Sequence, residues 1–297
     1  LAAGFDKNAE VIKSMFSLGF GYVEVGTVTP LPQKGNPKPR IFRLEEDKAI
    51  INSLGFNNSG SIKVKKNISK IKKKFLSNKI IGVNLGKNKN TVNSIDDYIY
   101  GMEELGGQSS YITINISSPN TEGLRELQLR GNIENLIKKI MLKRDEISNI
   151  NNKPIFIKIS PDLNDDQLRD IALIALANNV DGLILTNTTV NRPYNLLSSN
   201  KTTKGGLSGK PLFESSNNIL RKIYNFTNGQ IVLIGVGGIS NGSDCYEKIK
   251  SGASLVQLYT ALTYSGPTLI SKIKKELIDL IKTDGYKNIS EVVGKSV

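Results

Sequence analysis

The residues with the clearest potential for chemistry lie in one short segment, 115–120, which reads Asn-Ile-Ser-Ser-Pro-Asn. It follows an apolar alternation at 111–114, so a predicted strand ends in a loop that carries hydroxyl and amide side chains. Barrel enzymes hold their catalytic groups at such strand ends. Ser118 is therefore a candidate base or nucleophile. The sequence has no histidine to activate it, which excludes a serine-hydrolase triad; simple capping of the loop by its serines is the structural alternative.

Lys158 is the second candidate, because it lies within the apolar run Ile-Phe-Ile-Lys-Ile at 155–159. A cation inside an apolar strand is costly unless it is paired. Two interpretations are open: an ion pair with a carboxylate such as Asp6, or contact with a cofactor that becomes anionic on reduction. Lys7 has the same two interpretations, with a substrate carboxylate as a further possible partner.

Glycine-rich turns follow two of the later predicted strands, at 235–239 (Gly-Val-Gly-Gly-Ile) and at 205–209 (Gly-Gly-Leu-Ser-Gly). Loops after the last strands of a barrel commonly bind a phosphate group through backbone N–H groups. These turns indicate a phosphate-bearing cofactor. No Walker loop and no strand–GxGxxG–helix pattern is present in the sequence, so a P-loop or Rossmann site is not indicated.

Short β-rich runs alternate with longer amphipathic runs along the whole chain. Eight alternations without a composition break predict a single α/β domain over 1–297, with a parallel sheet closed into a (β/α)8 TIM barrel. A doubly wound open sheet is the alternative. The predicted strands are Leu1–Gly4, Tyr22–Val25, Ile80–Leu85, Tyr111–Ile116, Ile155–Ile159, Gly182–Thr186, Ile231–Gly235 and Leu255–Leu258. The predicted helices are 8–18, 58–75, 92–104, 133–148, 164–178, 212–226, 241–250 and 266–282.

Two long segments, 27–57 and 187–211, are rich in turn-forming residues and are expected to be structureless lids or binding loops. Every predicted strand ends in a polar or glycine signature with no acidic residue, which favours an anionic ligand. These signatures are Lys7 with Asn8, Gly26-Thr27, Asn84, Asn115, Lys158, Thr186-Asn187, Gly237-Gly238 and Tyr259-Thr260.

Composition narrows the classes of function. The net charge of +13 favours polyanions in general, but the lysine runs at 63–66 and 72–74 are better explained as solvated helix faces, and no nucleic-acid partner is expected. With no histidine and one cysteine, Cys245, a zinc or iron site is not expected and an intramolecular disulfide is excluded. Cys245 is interpreted as a spectator on a surface-like helix.

Eight short motifs occur in order along the chain. They are 3–8 (Ala-Gly-Phe-Asp-Lys-Asn), 26–30 (Gly-Thr-Val-Thr-Pro), 39–43 (Pro-Arg-Ile-Phe-Arg), 52–57 (Asn-Ser-Leu-Gly-Phe-Asn), 115–120, 187–189 (Asn-Thr-Thr), 205–209 and 235–238. Together they resemble the dihydroorotate dehydrogenase family, and in particular its class 2, quinone-linked branch. A serine at position 118 favours class 2, since class 1 members have cysteine there.

The resemblance implies a site for FMN and a site for dihydroorotate. Ser118 would take the proton from C5 of the substrate while the C6 hydride passes to flavin N5, and Lys158 would stabilise the reduced, anionic ring. FMN would be held by Ala2, Ala3, Gly4, Thr27, Asn84, Asn115, Lys158, Thr186, Ser208, Gly209, Gly237, Gly238, Tyr259 and Thr260. Dihydroorotate would be held by Lys7, Asn52, Gly55, Phe56, Asn115, Asn120, Asn187 and Thr188.

The same resemblance implies ubiquinone as the electron acceptor and peripheral attachment to a membrane through a helical segment expected before Leu1. The expected location is the mitochondrial inner membrane in a eukaryote, which the resemblance to protozoan members favours, or the cytoplasmic membrane in a bacterium. Two alternatives remain. A tRNA dihydrouridine synthase would explain the positive charge, but its catalytic cysteine is missing from the region of the fourth strand. A non-enzymatic scaffold would leave Lys158 without a purpose.

Overall fold

The computed structural model describes residues 1–72 and 74–297, together with the backbone of residue 73. The strands, numbered in chain order, are β1 (Tyr22–Val28), β2 (Ile41–Leu44), β3 (Ala49–Asn52), β4 (Ile80–Leu85), β5 (Tyr111–Asn115), β6 (Ile155–Ile159), β7 (Gly182–Leu185), β8 (Gly206–Gly209), β9 (Val232–Val236) and β10 (Leu255–Gln257). The α-helices are α1 (Ile12–Ser17), α2 (Ser61–Ser69), α3 (Lys73–Leu76), α4 (Ser94–Leu105), α5 (Arg130–Glu146), α6 (Asp165–Ala177), α7 (Phe213–Phe226), α8 (Gly242–Lys250), α9 (Thr260–Ser265) and α10 (Leu269–Thr283). Short 3-10 turns lie at Gly106–Gln108, Leu124–Gln128, Ser199–Thr202, Lys210–Leu212 and Ile289–Val292.

Seven strands form one parallel sheet in the order β1-β4-β5-β6-β7-β9-β10. Alternate residues of each strand point to opposite faces. On β5, Ile112 and Ile114 join the main core under the helices, whereas Tyr111 packs with Phe156 of β6 in a separate cluster on the other face. The parallel α/β fold predicted from the alternating pattern is confirmed at this level.

The first predicted strand, Leu1–Gly4, is wrong as a strand. The chain turns at Gly4, which has a φ of +106°, so the extended run is too short to form a ladder. The segment nevertheless bonds to both edges of the sheet. Ala2 N–H donates to the carbonyl of Leu258 at 3.0 Å, and Glu24 N–H donates to the carbonyl of Leu1 at 3.1 Å.

The prediction that 27–57 and 187–211 are structureless is also wrong. They contain β2, β3 and β8, which form a three-stranded antiparallel sheet. Each strand has only four residues and lies among Pro, Gly and Asn, so its alternation is too brief to detect in the sequence. The sheet has its own small core of Leu44, Ala49, Ile51, Leu196 and Leu207.

Two helix predictions need correction. The helix predicted over 58–75 is two helices, α2 and α3, separated by a turn near residue 71. The helix predicted over 266–282 is α10, and a separate short helix, α9, precedes it. The remaining predicted helices and strands are confirmed with ends shifted by up to 4 residues, which is the usual uncertainty of element boundaries.

A fully buried lysine, Lys248 of α8, connects two helices to the loop after β9. Its Nζ donates to Ser216 Oγ at 2.8 Å and to Asn217 Oδ1 at 2.7 Å. Ser216 Oγ in turn donates to the carbonyl of Gly237 at 3.2 Å. Because none of these partners is a carboxylate, burial dominates and lowers the pKa of Lys248 to about 7.

We expect the Lys248→Met variant to lose part of the pH dependence of stability. Between about pH 7 and pH 10 the unfolded chain binds more protons at this lysine than the native protein does, so the native protein gains stability as pH rises through this window. As pH rises through this window, the free energy of unfolding of wild type should therefore increase relative to that of Lys248→Met by up to about 1.4 kcal/mol per pH unit. Urea unfolding at several pH values measures the difference. Lys275, exposed on α10, supplies the control Lys275→Met, and equal slopes for all three proteins would contradict the expectation.

Candidate active site

A cavity of about 840 Å³ opens at the carboxyl ends of the parallel strands and beside the small antiparallel sheet. This volume is within the ~300–1,000 Å³ typical of ligand sites. All but one of the residues expected to bind cofactor or substrate line it; the exception is Asn84. Those that line it are Ala2, Ala3, Gly4, Lys7, Thr27, Asn52, Gly55, Phe56, Asn115, Ser118, Asn120, Lys158, Thr186, Asn187, Thr188, Ser208, Gly209, Gly237, Gly238, Tyr259 and Thr260.

Ser118 is buried in the loop that follows β5. Its Oγ accepts a hydrogen bond from Asn120 N–H at 3.2 Å, and Asn120 Nδ2 donates to the carbonyl of Asn52 at 3.0 Å. The loop is thus tied to β3 of the small sheet. Within the described residues the Ser118 hydroxyl hydrogen has no protein acceptor, so this group is available to a molecule in the cavity.

Arg125, which the sequence reasoning missed, fixes the same loop from behind. Its Nε donates to the carbonyl of Ser117 at 3.0 Å, and its Nη2 donates to the carbonyl of Thr188 at 3.0 Å. Its Nη1 lies 2.7 Å from Asp162 Oδ2. The guanidinium therefore joins the loop after β5 to the loop after β7. A charged pair at neighbouring strand ends was the signal available in the sequence.

Amide and hydroxyl groups form a continuous hydrogen-bonded chain beneath the cavity. Thr27 Oγ1 donates to Asn84 Oδ1 at 2.6 Å, and Asn115 Nδ2 donates to Thr27 Oγ1 at 3.0 Å. Asn187 Nδ2 donates to Ser117 Oγ at 2.9 Å. Asn84 lies behind Thr27 and Asn115, outside the cavity lining. The resemblance assigns Asn84 to direct contact with the cofactor, whereas the geometry places it in support of those two residues.

Lys158 lines the cavity and is itself buried. Desolvation lowers its pKa, while the nearby charge of Glu24 raises it. No hydrogen bond or ion pair to its amine is found in the part of the chain that the structure describes. The ion pair considered for Asp6 is not present, because the Asp6 carboxylate instead accepts from Glu10 N–H at 2.8 Å and Val11 N–H at 2.9 Å. A buried, unpartnered cation at a cavity wall favours an anionic ligand.

Lys7 is the second amine at this cavity. Burial, and secondarily the charge of Arg40, lower its pKa to about 8. An anion bound beside it would raise this value again, because an opposite charge favours the protonated form.

The turn after β9 approaches the start of α7 closely. Gly237 and Gly238 have φ of +115° and +77°, a region that disfavours other residues. A Cβ on Gly238 would lie 2.7 Å from the backbone nitrogen of Phe213. Across the cavity, Thr260 Oγ1 donates to Ser208 Oγ at 2.8 Å. Backbone N–H groups that line a cavity in a turn of this kind suit a phosphate.

Cys245 does not line the cavity. Among the described residues there is no group of three or more His, Cys, Asp or Glu side chains that could bind a metal ion. Cys245 is buried rather than on a surface, so that expectation was wrong. Burial raises the pKa of its thiol to about 12, which supports the interpretation that it is not a nucleophile.

The fold and the cavity define an α/β enzyme with a ligand site at the carboxyl edge of a parallel sheet. The family model for dihydroorotate dehydrogenase matches residues 1–281. The chain is 48% identical to the protein named dihydroorotate dehydrogenase (quinone), mitochondrial, of Arabidopsis thaliana, covering 99% of this chain and 69% of that protein. It is 48% identical to the dihydroorotate dehydrogenase (quinone) of Parvibaculum lavamentivorans, covering 100% and 83%.

Solved structures agree. The crystal structure of DHODH from Eimeria tenella in complex with ferulenol superposes with a TM-score of 0.96 at 42% identity, covering 99% of this chain and 84% of that one. The chain belongs to the dihydroorotate dehydrogenase family, which confirms the resemblance drawn from the motifs. Searching the described residues for a helix long and apolar enough to cross a membrane finds none.

Proposed function

We propose that this chain oxidises (S)-dihydroorotate to orotate in pyrimidine biosynthesis, with FMN as hydride acceptor and a quinone such as ubiquinone as final electron acceptor. The observation that carries the proposal is that two available groups line the same cavity. One is the Lys158 amine, which has no partner among the described residues, and the other is the Ser118 hydroxyl, whose hydrogen has no protein acceptor there. Membership of the family supports the substrate, and the names of the Arabidopsis and Parvibaculum relatives support the quinone.

The residues present fit FMN. The buried Lys158 amine needs an anionic partner, and the Gly237–Gly238 turn at the cavity offers backbone N–H donors for a phosphate. When bound, FMN supplies a two-electron acceptor that the side chains of this protein cannot replace. We propose that Lys158 faces the edge of the ring that gains negative charge, and that the glycine turn holds the phosphate. The expected ligands Ala2, Ala3, Gly4, Thr186, Gly209 and Tyr259 complete this site.

The residues on the other side of the cavity fit a planar carboxylated pyrimidine. Lys7 would bind the carboxylate, and Asn52, Asn120 and Asn187 offer both donors and acceptors to the ring amides. Ser118, once its hydroxyl has released its own proton to water, would accept the proton from C5 at Oγ as the C6 hydride leaves for FMN. The positive charges of the Lys7 and Lys158 ammonium groups favour the deprotonated, anionic Ser118 Oγ that this step requires. Phe56, buried at the cavity wall, would exclude water.

Family membership supports a parallel α/β fold. How the sheet closes and where the protein is located are further proposals. We propose a closed (β/α)8 barrel in one domain, with residues 1–4 in the place of the eighth strand, because this segment bonds to Glu24 of β1 and to Leu258, directly after β10. Attachment to the face of the mitochondrial inner membrane, or of a bacterial cytoplasmic membrane, accords with the mitochondrial and bacterial relatives.

The proposal is tested by an absorption spectrum of the purified protein followed by anaerobic titration with dihydroorotate. We expect a flavin spectrum that bleaches on titration and recovers when a soluble quinone is added. A colourless protein that does not take up FMN, or a flavin that dihydroorotate leaves oxidised, would contradict it.

Lys7 should make orotate binding depend on pH. The protonated amine binds the carboxylate, and the pKa of the free amine is about 8; the complex holds the proton more tightly. The dissociation constant of orotate should therefore rise above pH 8, by up to about tenfold per pH unit. Flavin spectral changes during orotate titration measure it. The matched variant Lys7→Arg stays charged and should flatten the profile, whereas a slope that survives in Lys7→Arg would assign the titration to another group.

A further inference from the structure

Glu24 is a fully buried carboxylate on β1 that does not line the cavity. It accepts four hydrogen bonds, all from neutral side chains. The donors are Asn84 Nδ2 at 2.8 Å, Tyr111 OH at 2.9 Å, Gln257 Nε2 at 2.8 Å and Thr113 Oγ1 at 3.2 Å. An ionised carboxylate accepts about this many hydrogen bonds and donates none. Among the described residues it forms no ion pair, so its countercharge must act over a distance.

The first consequence concerns orientation. Because Asn84 Nδ2 donates to Glu24, Asn84 Oδ1 is turned towards Thr27 and Asn115 and accepts from both, at 2.6 Å and 3.2 Å. Asn115 is thereby turned so that its own Oδ1 accepts from Ser117 Oγ at 2.9 Å. An amide beside an acceptor-only group must turn its NH2 group towards that acceptor. This fixes the direction of the amide oxygen, which in turn fixes the orientation of the next side chain. Glu24 thus determines which atoms Thr27 and Asn115 present beneath the cavity.

The second consequence concerns Lys158. Asn84 of β4 joins Glu24 to Asn115 of β5 by hydrogen bonds, and Asn115 lies opposite Lys158 in the ladder between β5 and β6. All four side chains are buried. The attraction of Glu24 opposes the desolvation of the lysine, yet no bond joins the two groups. A carboxylate in direct contact with Lys158 would form an ion pair with its amine. The Glu24 carboxylate is instead bonded to four other donors, so the Lys158 amine stays free to contact a ligand.

We propose that Glu24 is a positioning residue of the cofactor site: it fixes the Asn84–Thr27–Asn115 amide chain in one orientation and supplies the countercharge of Lys158 without bonding to it. This inference rests on the proposed binding of FMN. Glu24 itself touches neither the cavity nor a ligand in it.

The test is a double-mutant cycle on the holoprotein, with the midpoint potential of FMN at pH 9 as the readout. The variants are Glu24→Gln, Lys158→Met and the double substitution. If Glu24 acted on the flavin only through its field, removing its negative charge would raise the potential. If it acts by keeping Lys158 charged, Glu24→Gln should lower the potential, with at least a tenfold shift in the redox equilibrium, which is about 30 mV for a two-electron couple. In the Lys158→Met background the substitution should lose this lowering effect.

The remaining charged groups at the cavity are left intact throughout the cycle, so they cancel in the comparison. They are Lys7, Lys48, Lys210, Glu214, Asp244 and Lys272. Thr113→Val is the matched control, because it removes one hydrogen bond from the same carboxylate and keeps the charge; its potential should stay near that of wild type. Asn84→Ala tests the orientation arm separately and should weaken FMN binding tenfold or more while the potential changes little.

The proposed role of Glu24 as countercharge would be overturned if Glu24→Gln raised the potential. It would also be overturned if the substitution had the same effect in wild type and in Lys158→Met. FMN binding by Asn84→Ala at wild-type affinity would overturn the orienting role. Should Glu24→Gln fail to retain FMN, Glu24→Asp withdraws the carboxylate towards β1 and should lower the potential in the same direction by less; no fall would count against the proposal. Wild-type protein without FMN would instead refute the proposed function, so the two failures are distinguishable.

Discussion

Replacing Ser118 with alanine is expected to slow the reduction of bound FMN by dihydroorotate by about 10²- to 10⁴-fold, the usual contribution of a positioned general base. Among the described residues of this loop, the substitution removes the hydroxyl that lines the cavity and has no protein acceptor for its hydrogen. Asn120 N–H loses its acceptor, but Asn120 stays bonded to Asn52 through its side chain. The loop should therefore keep its place. The loss should fall on the proton-transfer step and leave binding largely intact.

Anaerobic stopped-flow measurement of flavin bleaching gives this rate directly. FMN content and the dissociation constant of orotate should be close to those of wild type, which separates chemistry from folding. Ser118→Cys is the matched variant: it keeps a proton acceptor at the same position, and because a thiol ionises more readily than a hydroxyl, its rate should rise with pH from a lower starting pH. Bleaching of Ser118→Ala at the wild-type rate would assign the base elsewhere.

The parts of the site that the sequence predicted share one physical signal. A polar group at the end of an apolar strand is visible in the linear pattern, and parallel strands bring their carboxyl ends to one edge. Ser118, Lys158 and the glycine turn at 237–238 were found in this way, and the structure brings all of them to one cavity. The seven strands of the parallel sheet followed from the same alternation.

Glu24 shows where this reasoning stopped short. It lies in Tyr-Val-Glu-Val at 22–25, the same signal as Lys158, a charge inside an apolar strand, but it precedes the strand end and was passed over. Its four donors come from β4, β5 and β10. Their convergence depends on the register and curl of the sheet, which no local pattern contains.

The small sheet and Arg125 were missed for different reasons. The pairing of Asn52 with Gly206 joins residues far apart in the chain, and four-residue strands carry too little alternation to be recognised. Arg125 acts through carbonyl groups of Ser117 and Thr188. Backbone acceptors are present at every position, so the sequence gives no indication of which ones a guanidinium will choose.

Replacing Lys158 with methionine is expected to lower the two-electron midpoint potential of bound FMN by about 90 mV. Two opposite charges about 4 Å apart at an effective dielectric constant near 20 attract by about 4 kcal/mol, and about 1.4 kcal/mol corresponds to about 30 mV for this couple. The amine has no bond to lose in the described structure, and methionine has similar length without charge. Glu24 keeps all four of its donors, so the fold should tolerate the change.

Spectroelectrochemical titration measures the potential, and the consequence is visible without electrodes, because dihydroorotate should no longer bleach the flavin completely under anaerobic conditions. Lys7→Met is the matched control: it removes the other amine from the same cavity, and it should weaken orotate binding while leaving the potential of the ligand-free enzyme close to that of wild type. This contrast distinguishes a lysine that stabilises the negative charge of the reduced ring from one that binds the carboxylate of the substrate. Equal potentials in wild type and Lys158→Met would mean that the buried amine balances Glu24 and has no direct part in the redox chemistry.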